Sequence, residues 1–404
     1  MATAILDLDL EQLPTVIGGL EGYRQALVLF RLRQQPLARG MLPVVDGRIA
    51  GAELRDLMLS EVGWSFEDPW LRIYLGLGAA PPMACKLPSA TVAICTHDRA
   101  DDLHHSLEAL TRLPDDGQEL LVVDNRPSTE ETRTLVGRYA GVRYVREDRL
   151  GLDVARNRAM REARNDVVAF LDDDAVPDPG WLRALLPSFG DPLVLCVTGL
   201  TMPLELETEA QEWFERYSGF GRGFKQRTFE WGNTNPLRAG IVGAGANMAL
   251  RRTVMEQVGL FDEALDGGTP TLSGGDTEML SRILASGYRI AYVPAALNWH
   301  RHRRTWDELR RVLYGYGVGV YAVWTKQLLF EGELTVPKLA LGWFWGSQLP
   351  ALLGSLLKLK GSMPADLLFA ELRGCAAGPW AYLSSRRRLQ QERRKGHRAA
   401  RSGH

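Results

Sequence analysis

An alternation that begins at Ser89 constrains this chain more than any other feature. Short apolar runs at TVAIC (91–95), ELLVVD (119–124) and VVAFLD (167–172) are separated by stretches that read as helices, Ala100–Leu113, Glu130–Tyr139 and Leu152–Ala163. VRYVRE (142–147) reads as a fourth strand of the series. Strands alternating with helices predict an α/β fold with a parallel, doubly wound sheet. Ligands of such sheets bind outside the carboxyl ends of the strands. Three of the strands end there in polar clusters: Thr96-His97-Asp98-Arg99, Asp124-Asn125 and Asp172-Asp173-Asp174. That coincidence is the first functional signal in the chain.

The flanks read differently. Residues 1–80 form a small α+β unit, with two short strands in ALVLFRLRQQPLARGMLPVV, a turn at Asp46-Gly47 and a helix through Ala52–Leu59. The Pro-rich PPMACKLP (81–88) is a connector. A catalytic unit then runs over 89–305, a helical region over 306–385 and a basic tail over 386–404. Within the helical region, Leu339–Leu357 carries no charge and lies between Lys338 and Lys358. Its length is near the minimum for a bilayer span, but Gln348, Pro350 and its glycines weaken that reading. Two alternatives stay open: a helical cap with a dimer surface, or a membrane-docking element in which shallow helices and the polybasic tail meet anionic lipid on the inner face of the plasma membrane.

Charge enters through its distribution. The 404 residues carry 48 bases and 49 acids, a net charge of −1, yet the tail holds eight Lys/Arg against Glu392 alone. A protein living on nucleic acid shows a basic excess, so no nucleic-acid partner is expected. Cys85, Cys95, Cys196 and Cys375 are far apart with no CxxC pair, which excludes a disulfide framework and a zinc site and implies a reducing, cytoplasmic setting. MATAILDLDLEQLP has early acids and no basic stretch before an apolar core, which reads against a secretory signal.

The strongest chemical motif is FLDDDAVPDPGWL (170–182). Three consecutive acids after a buried strand are costly unless a cation sits there. Mg²⁺ or Mn²⁺ suits one or two carboxylates plus phosphate oxygens. A solvated acidic turn is the plain alternative.

From Thr91 to His300, about half of the chain, an ordered series of segments resembles glycosyltransferase family 2, an inverting, nucleotide-sugar-dependent group with the GT-A fold. TVAICTHDRADDL resembles the opening strand and its Thr-x-x-Arg turn, LLVVDN the second strand, and GLDVARNRAM the helix under the nucleotide. FLDDDAVP carries the Asp-x-Asp motif, GAGANMALRR (243–252) resembles the Gly-rich segment with Asn, GGDTEML (274–280) the acceptor-side acidic motif, and WHRHRR (299–304) the His-containing segment.

The resemblance implies a Rossmann-like, mostly parallel sheet flanked by helices. It assigns donor binding to Thr96, Arg99, Asp124, Arg156, Asp172, Asp173 and Asn247. Asp172, Asp174 and His300 would hold Mg²⁺ or Mn²⁺. Asp276 would be the base that takes the acceptor proton, with Glu278 a second candidate, because Gly275 stands where the family carries Glu. Trp231 and Trp299 are candidates for acceptor contact. Plainer alternatives remain for several of these: a helix N-cap for Asp276 and Thr96, a turn residue for Asp124, a surface ion pair for Arg156 and a packed ring for His300.

The implied activity is metal-dependent hexosyl transfer from a nucleotide sugar, UDP-sugar favoured, to a glycan, a lipid-linked or a small-molecule acceptor in cell-envelope or secondary-metabolite synthesis. The Gln-x-x-Arg-Trp motif of polymer synthases is not present, so transfer is expected once per acceptor. The rival reading is an inactive nucleotide-sugar-binding scaffold on the same fold. A nucleotidyltransferase would need a Gly-rich phosphate loop after the first strand, which THDRADD lacks.

Overall fold

The computed structural model describes residues 2–63 and 87–402, and side chains through residue 395 except residue 393. Most of the expected connector at 81–88, including Cys85, lies outside the described residues.

Three strands, β1 (Ala2–Asp9), β2 (Tyr23–Leu32) and β3 (Gln35–Pro43), form the N-terminal sheet in the order β1-β2-β3. The sequence reading anticipated β2, β3 and the helix α1 (Gly51–Glu61) but not β1, which runs parallel to β2. One face buries Ala26, Val28, Phe30, Ile49 and Leu54. The other presents Leu27 and Leu29 to Leu200, Met202 and Leu297 of the main sheet and to Leu206 beyond it. Period-two alternation thus serves two cores, and the module is bonded to the rest of the chain by more than its connector. Arg31 reaches Asp7 of β1 and, at 2.7 Å, Asp178 of the central domain.

Among the described residues the central sheet has nine strands. They are β4 (Ala90–Thr96), β5 (Glu119–Asn125), β6 (Val142–Glu147), β7 (Val167–Asp172), β8 (Ala175–Pro177), β9 (Val194–Pro203), β10 (Arg227–Phe229), β11 (Asn247–Arg251) and β12 (Arg289–His300). The order is β8-β12-β9-β11-β7-β4-β5-β6, with β10 added on β12. The half built from β6, β5, β4 and β7 is parallel. On the other side β11 runs antiparallel to both β7 and β9, while β12 is parallel to β9.

Helices α2 (Ala100–Leu110), α3 (Glu131–Val136), α4 (Leu152–Glu162) and α5 (Trp181–Leu185) cover the parallel half and its neighbours. Helix α6 (Glu209–Ser218) follows β9, and α7 (Gly275–Ala285) precedes β12. Each sheet face is sealed by its own apolar core, Val92, Ile94, Leu107 and Trp181 on one side and Ala93, Phe170, Met160 and Ile283 on the other.

The C-terminal region is helical, as expected: α8 (Trp306–Phe330), α9 (Val336–Trp343), α10 (Leu349–Leu356) and α11 (Ala365–Ser402). The uncharged stretch 339–357 is helical through Leu356, with a π turn at Phe344–Gln348 between α9 and α10. Among the described residues no helix is long and apolar enough to cross a membrane. Helix α8 packs under α6 through Leu309, Leu313 and Phe214, so this region does cap the central domain.

Helices α8 and α11 meet along glycines. A Cβ at Gly374 would lie 2.1 Å from the Tyr314 carbonyl oxygen, and one at Gly317 would lie 2.2 Å from that of Glu371. Backbones this close leave no room for a side chain. Gly374→Ala should therefore destabilise the protein by about 1–3 kcal/mol through overpacking. Gly342→Ala, on α9 with nothing within 4 Å of the added carbon, should not. Urea unfolding of both variants checks this, and equal midpoints would mean that the seam is looser than it appears.

Candidate active site

Strand β7 ends at Asp172, and the next two residues turn the chain into β8. Strand β8 pairs antiparallel with β12, in a register that sets Ala175 opposite His300. The same pairing carries His300 to the acid cluster. His300 Nε2 lies 3.0 Å from Asp174 Oδ1 and 3.9 Å from Asp172 Oδ2. One ligand atom from each of the three residues falls within 4.8 Å of the others. Two carboxylates and an imidazole at such spacing match the donor chemistry of a divalent cation such as Mn²⁺.

Electrostatics divide the three acids. Burial opposes the charge of Asp174, but His300, Arg99 and Arg303 outweigh it and hold its carboxyl well below the usual range. Burial and the neighbouring Asp174 push Asp173 up to about 7, against Arg99 and Thr96. Burial, then Asp174, also raises Asp172, the one member whose side chain is 36% exposed. His300 is raised despite burial because it faces both Asp174 and Asp172.

Thr96 and Arg99, at and just beyond the end of β4, both contact the acid cluster. The Thr96 hydroxyl donates to Asp173 Oδ2 at 2.8 Å. Arg99 binds Asp173 at 2.5 Å, Asp174 at 2.7 Å and Asp102 at 2.8 Å. Both residues are thus joined to Asp173 within the acid cluster. Asp124 is different. It is fully buried at the end of β5, its Oδ2 accepts from the Tyr144 hydroxyl at 2.8 Å, and its Oδ1 has no partner. Burial raises its pKa. A buried acceptor without a donor fits a ligand hydroxyl or N–H.

Arg156 extends from α4 into a cleft of about 620 Å³, which Asp172, Asp266, Asp276, His300, Arg303, Arg311 and Tyr316 also line. It is buried between Asp153 at 3.0 Å and Asp266 at 2.7 Å, so the surface ion pair is excluded. Asp276 sits in the first turn of α7. Its Oδ2 accepts from the Gly245 N–H at 2.7 Å and its Oδ1 from the Thr277 N–H at 2.6 Å. The N-cap position belongs to Gly274, with φ +106°, so Asp276 is not the cap. It also lines a second cleft of about 320 Å³ with Tyr217, Arg222, Thr277 and Tyr316. Asp276 thus stands where the two clefts meet.

The glycine at 275 has a local cause. A Cβ there would lie 1.9 Å from Asp153 Oδ2. The Asp153 carboxylate occupies the volume that a side chain at 275 would need, and that oxygen is itself buried without a partner.

Four assignments fall away from the clefts. Glu278 is buried in ion pairs with Arg282 at 2.5 Å and with Lys326, so it is not available as a base. Asn247 donates to the carbonyls of Leu200 at 3.0 Å and Ala296 at 2.8 Å, and accepts from the Trp181 indole at 2.8 Å. It stitches the irregularity where β9 and β12 shift register after Gly199 and touches no open space. Trp299 packs in the layer shared with Leu27 and Leu29, with Arg31 over its ring at 6.0 Å. Trp231 is 65% exposed on the turn after β10, outside the lining of both clefts.

Conversely, Asp266, Arg311 and Tyr316 line the main cleft and were not foreseen. Asp266 follows no strand. Arg311 and Tyr316 lie on a helix whose apolar pattern gave no chemical signal.

Residues 91–259 match the model of glycosyl transferase family 2. The pre-mycofactocin glycosyltransferase of Mycobacterium tuberculosis strain H37Rv is 29% identical over 301 residues, which cover 72% of this chain and 58% of that protein. This chain thus matches only a little over half of that relative's length. Glycosyltransferase AglE of Haloferax volcanii is 28% identical over 60% of this chain and 76% of its own length. Among solved structures, the mannosyltransferase PcManGT from Pyrobaculum calidifontis, in complex with GDP-Man and Mn²⁺, aligns with a TM-score of 0.51 and 19% identity, over 81% of this chain and 98% of that one. The fold is therefore GT-A, and within the central domain residues 91–259 match glycosyl transferase family 2.

Proposed function

We propose that this chain transfers a hexose-type sugar from a nucleotide-sugar donor to an acceptor hydroxyl, with inversion and one transfer per acceptor. One observation carries the reading: the Asp172–Asp174–His300 cluster and Asp276 open into the same cleft. Leaving-group stabilisation and proton removal need those two functions side by side.

Asp172, Asp174 and His300 would hold Mg²⁺ or Mn²⁺, which would supply Lewis-acid neutralisation of the diphosphate. Asp124 offers its unpartnered oxygen to a nucleoside hydroxyl or N–H. Arg303, 3.4 Å from Asp174 and partly exposed in the cleft, is placed to meet phosphate charge, as is Arg311. The acceptor oxygen forms a bond to the anomeric carbon as the bond to the diphosphate breaks, and Asp276 takes the hydroxyl proton. Two N–H donors hold the Asp276 carboxylate for that step. UDP-sugars are the favoured donors, and GDP-mannose, bound by the similar PcManGT, is the next to test.

A role in glycan, glycolipid or secondary-metabolite synthesis fits a lipid-facing C-terminus. Leu341, Trp345, Leu353, Leu356 and Leu357 are exposed, each by 49% or more, between Lys338 and the pair Lys358 and Lys360. No acid occurs from Leu334 to Met363. Exposed apolar area with cationic flanks suits an anionic membrane surface.

A thermal-shift screen of UDP- and GDP-sugars with Mn²⁺ should name the donor by a raised midpoint. Asp174→Ala should abolish that metal-dependent shift. Asp276→Asn should keep it while transfer falls by about 10²–10⁴-fold. If Asp276→Asn turns over donor like the parent, Asp276 is not the base. Sedimentation with vesicles of phosphatidylglycerol and phosphatidylcholine should capture the parent and lose Trp345→Glu/Leu356→Glu. Equal recovery of both proteins would remove the membrane reading.

A further inference from the structure

The nitrogen of His300 that faces away from the carboxylates begins a buried chain. His300 Nδ1 lies 3.3 Å from Nδ1 of His302. His302 Nε2 lies 3.0 Å from Glu215 Oε2, on α6. The other Glu215 oxygen, Oε1, accepts from Arg39, which stands on β3 of the N-terminal sheet. His300, His302 and Glu215 are each at least nine-tenths buried. Phe214 lies 4.4 Å from the His302 ring and Phe220 lies 5.0 Å from the His300 ring, centroid to centroid.

Proton placement along this chain runs in one direction. Nε2 of His300 can serve a cation only through its lone pair, so the ring proton must sit on Nδ1. Its neighbour, His302 Nδ1, must then accept, and the proton of His302 must sit on Nε2. That N–H needs an acceptor, and the ionised Glu215 carboxylate can only accept. Arg39 supplies the positive charge that makes a buried carboxylate tolerable. Reversing any one assignment sets two N–H groups, or two lone pairs, against each other.

We propose that Glu215, held by Arg39, is a positioning residue that fixes the tautomers of His302 and His300 and so presents His300 Nε2 to a divalent cation. The N-terminal module thereby completes the metal site from outside it. The proposal rests on the metal reading above. It adds that the cation's affinity is set by a charge three residues away on a separate sheet.

The test measures Mn²⁺ binding to the full chain by calorimetry, without donor and well below the unfolding midpoint. Glu215→Gln, whose amide can donate as well as accept, should weaken Mn²⁺ by about 10–100-fold, the usual effect of losing an outer-shell partner. Arg39→Ala should weaken it, whereas Arg39→Lys, which keeps the charge, should stay within threefold of the parent. Long-range ¹H–¹⁵N spectra of the parent should place the His302 proton on Nε2, and Glu215→Gln should shift it toward Nδ1. A purely structural ion pair would lower the unfolding midpoint and leave both readouts alone. Glu215→Gln binding within threefold of the parent, or a His302 proton on Nδ1 in the parent, overturns the proposal. A parent that binds no Mn²⁺ overturns it together with the metal reading, so the two failures are distinct.

Discussion

Three carboxylates in a row at the end of a buried strand are the constraint around which this molecule is arranged. Ionised together in a low-dielectric site they repel one another, and burial penalises each charge. The chain supplies cations from separate places: Arg99 after β4, His300 at the end of β12 and Arg303 just beyond it. These contacts draw the parallel half of the sheet and the end of β12 to one point. The β8–β12 pairing sets the register, and Arg99 closes the opposite side. The cluster is thus both an electrostatic problem and the fastener that places the cleft.

Much of this was legible in the sequence because strand ends announce themselves. An apolar run followed by acids needs only local information, and β4, β5, β6 and β7 lie where the alternation put them. Asp172, His300 and Asp276, which line the cleft, and Asp124, with its unpartnered oxygen, each sit at or beside an element end. Other candidate side chains are taken up inside the molecule for an opposite reason. Thr96, Arg99, Asn247 and Trp299 have residue types that suit a ligand, but each found an intramolecular partner that only the tertiary structure brings near. Asn247 is the sharpest case. Its amide is consumed by a strand irregularity between β9 and β12 that no local pattern encodes. Glu278 is taken up by Arg282, one helical turn on, and by Lys326, far along the chain on α8.

Gly275 shows how a departure from a family pattern can be a packing fact. With Asp153 Oδ2 at 1.9 Å from a notional Cβ, no side chain fits there. Gly245 is held to the same standard: an added Cβ would lie 2.8 Å from an Arg156 nitrogen and 3.1 Å from Asp276. Charged groups from α4 and α7 and a bare backbone segment meet in a space that tolerates nothing larger. The carboxylate of Asp276 is therefore fixed by crowding as well as by its two N–H donors, which is the condition a general base needs if geometry is to come before pKa.

The division of the chain into a recognisable core and two unread flanks does not survive at the site. Arg39 comes from the N-terminal sheet, Glu215 from α6, the acids from β7, Asp276 from α7, and Arg311 and Tyr316 from the C-terminal α8. The same α8 carries Tyr321 and Trp324, against which Trp343 of the exposed apolar segment packs at 6.0 and 5.8 Å. One helix therefore walls the cleft at one end and seats the apolar face at the other. On that argument the flanks are neither tethers nor ornaments: each supplies contacts that the central sheet, with its own residues, does not make.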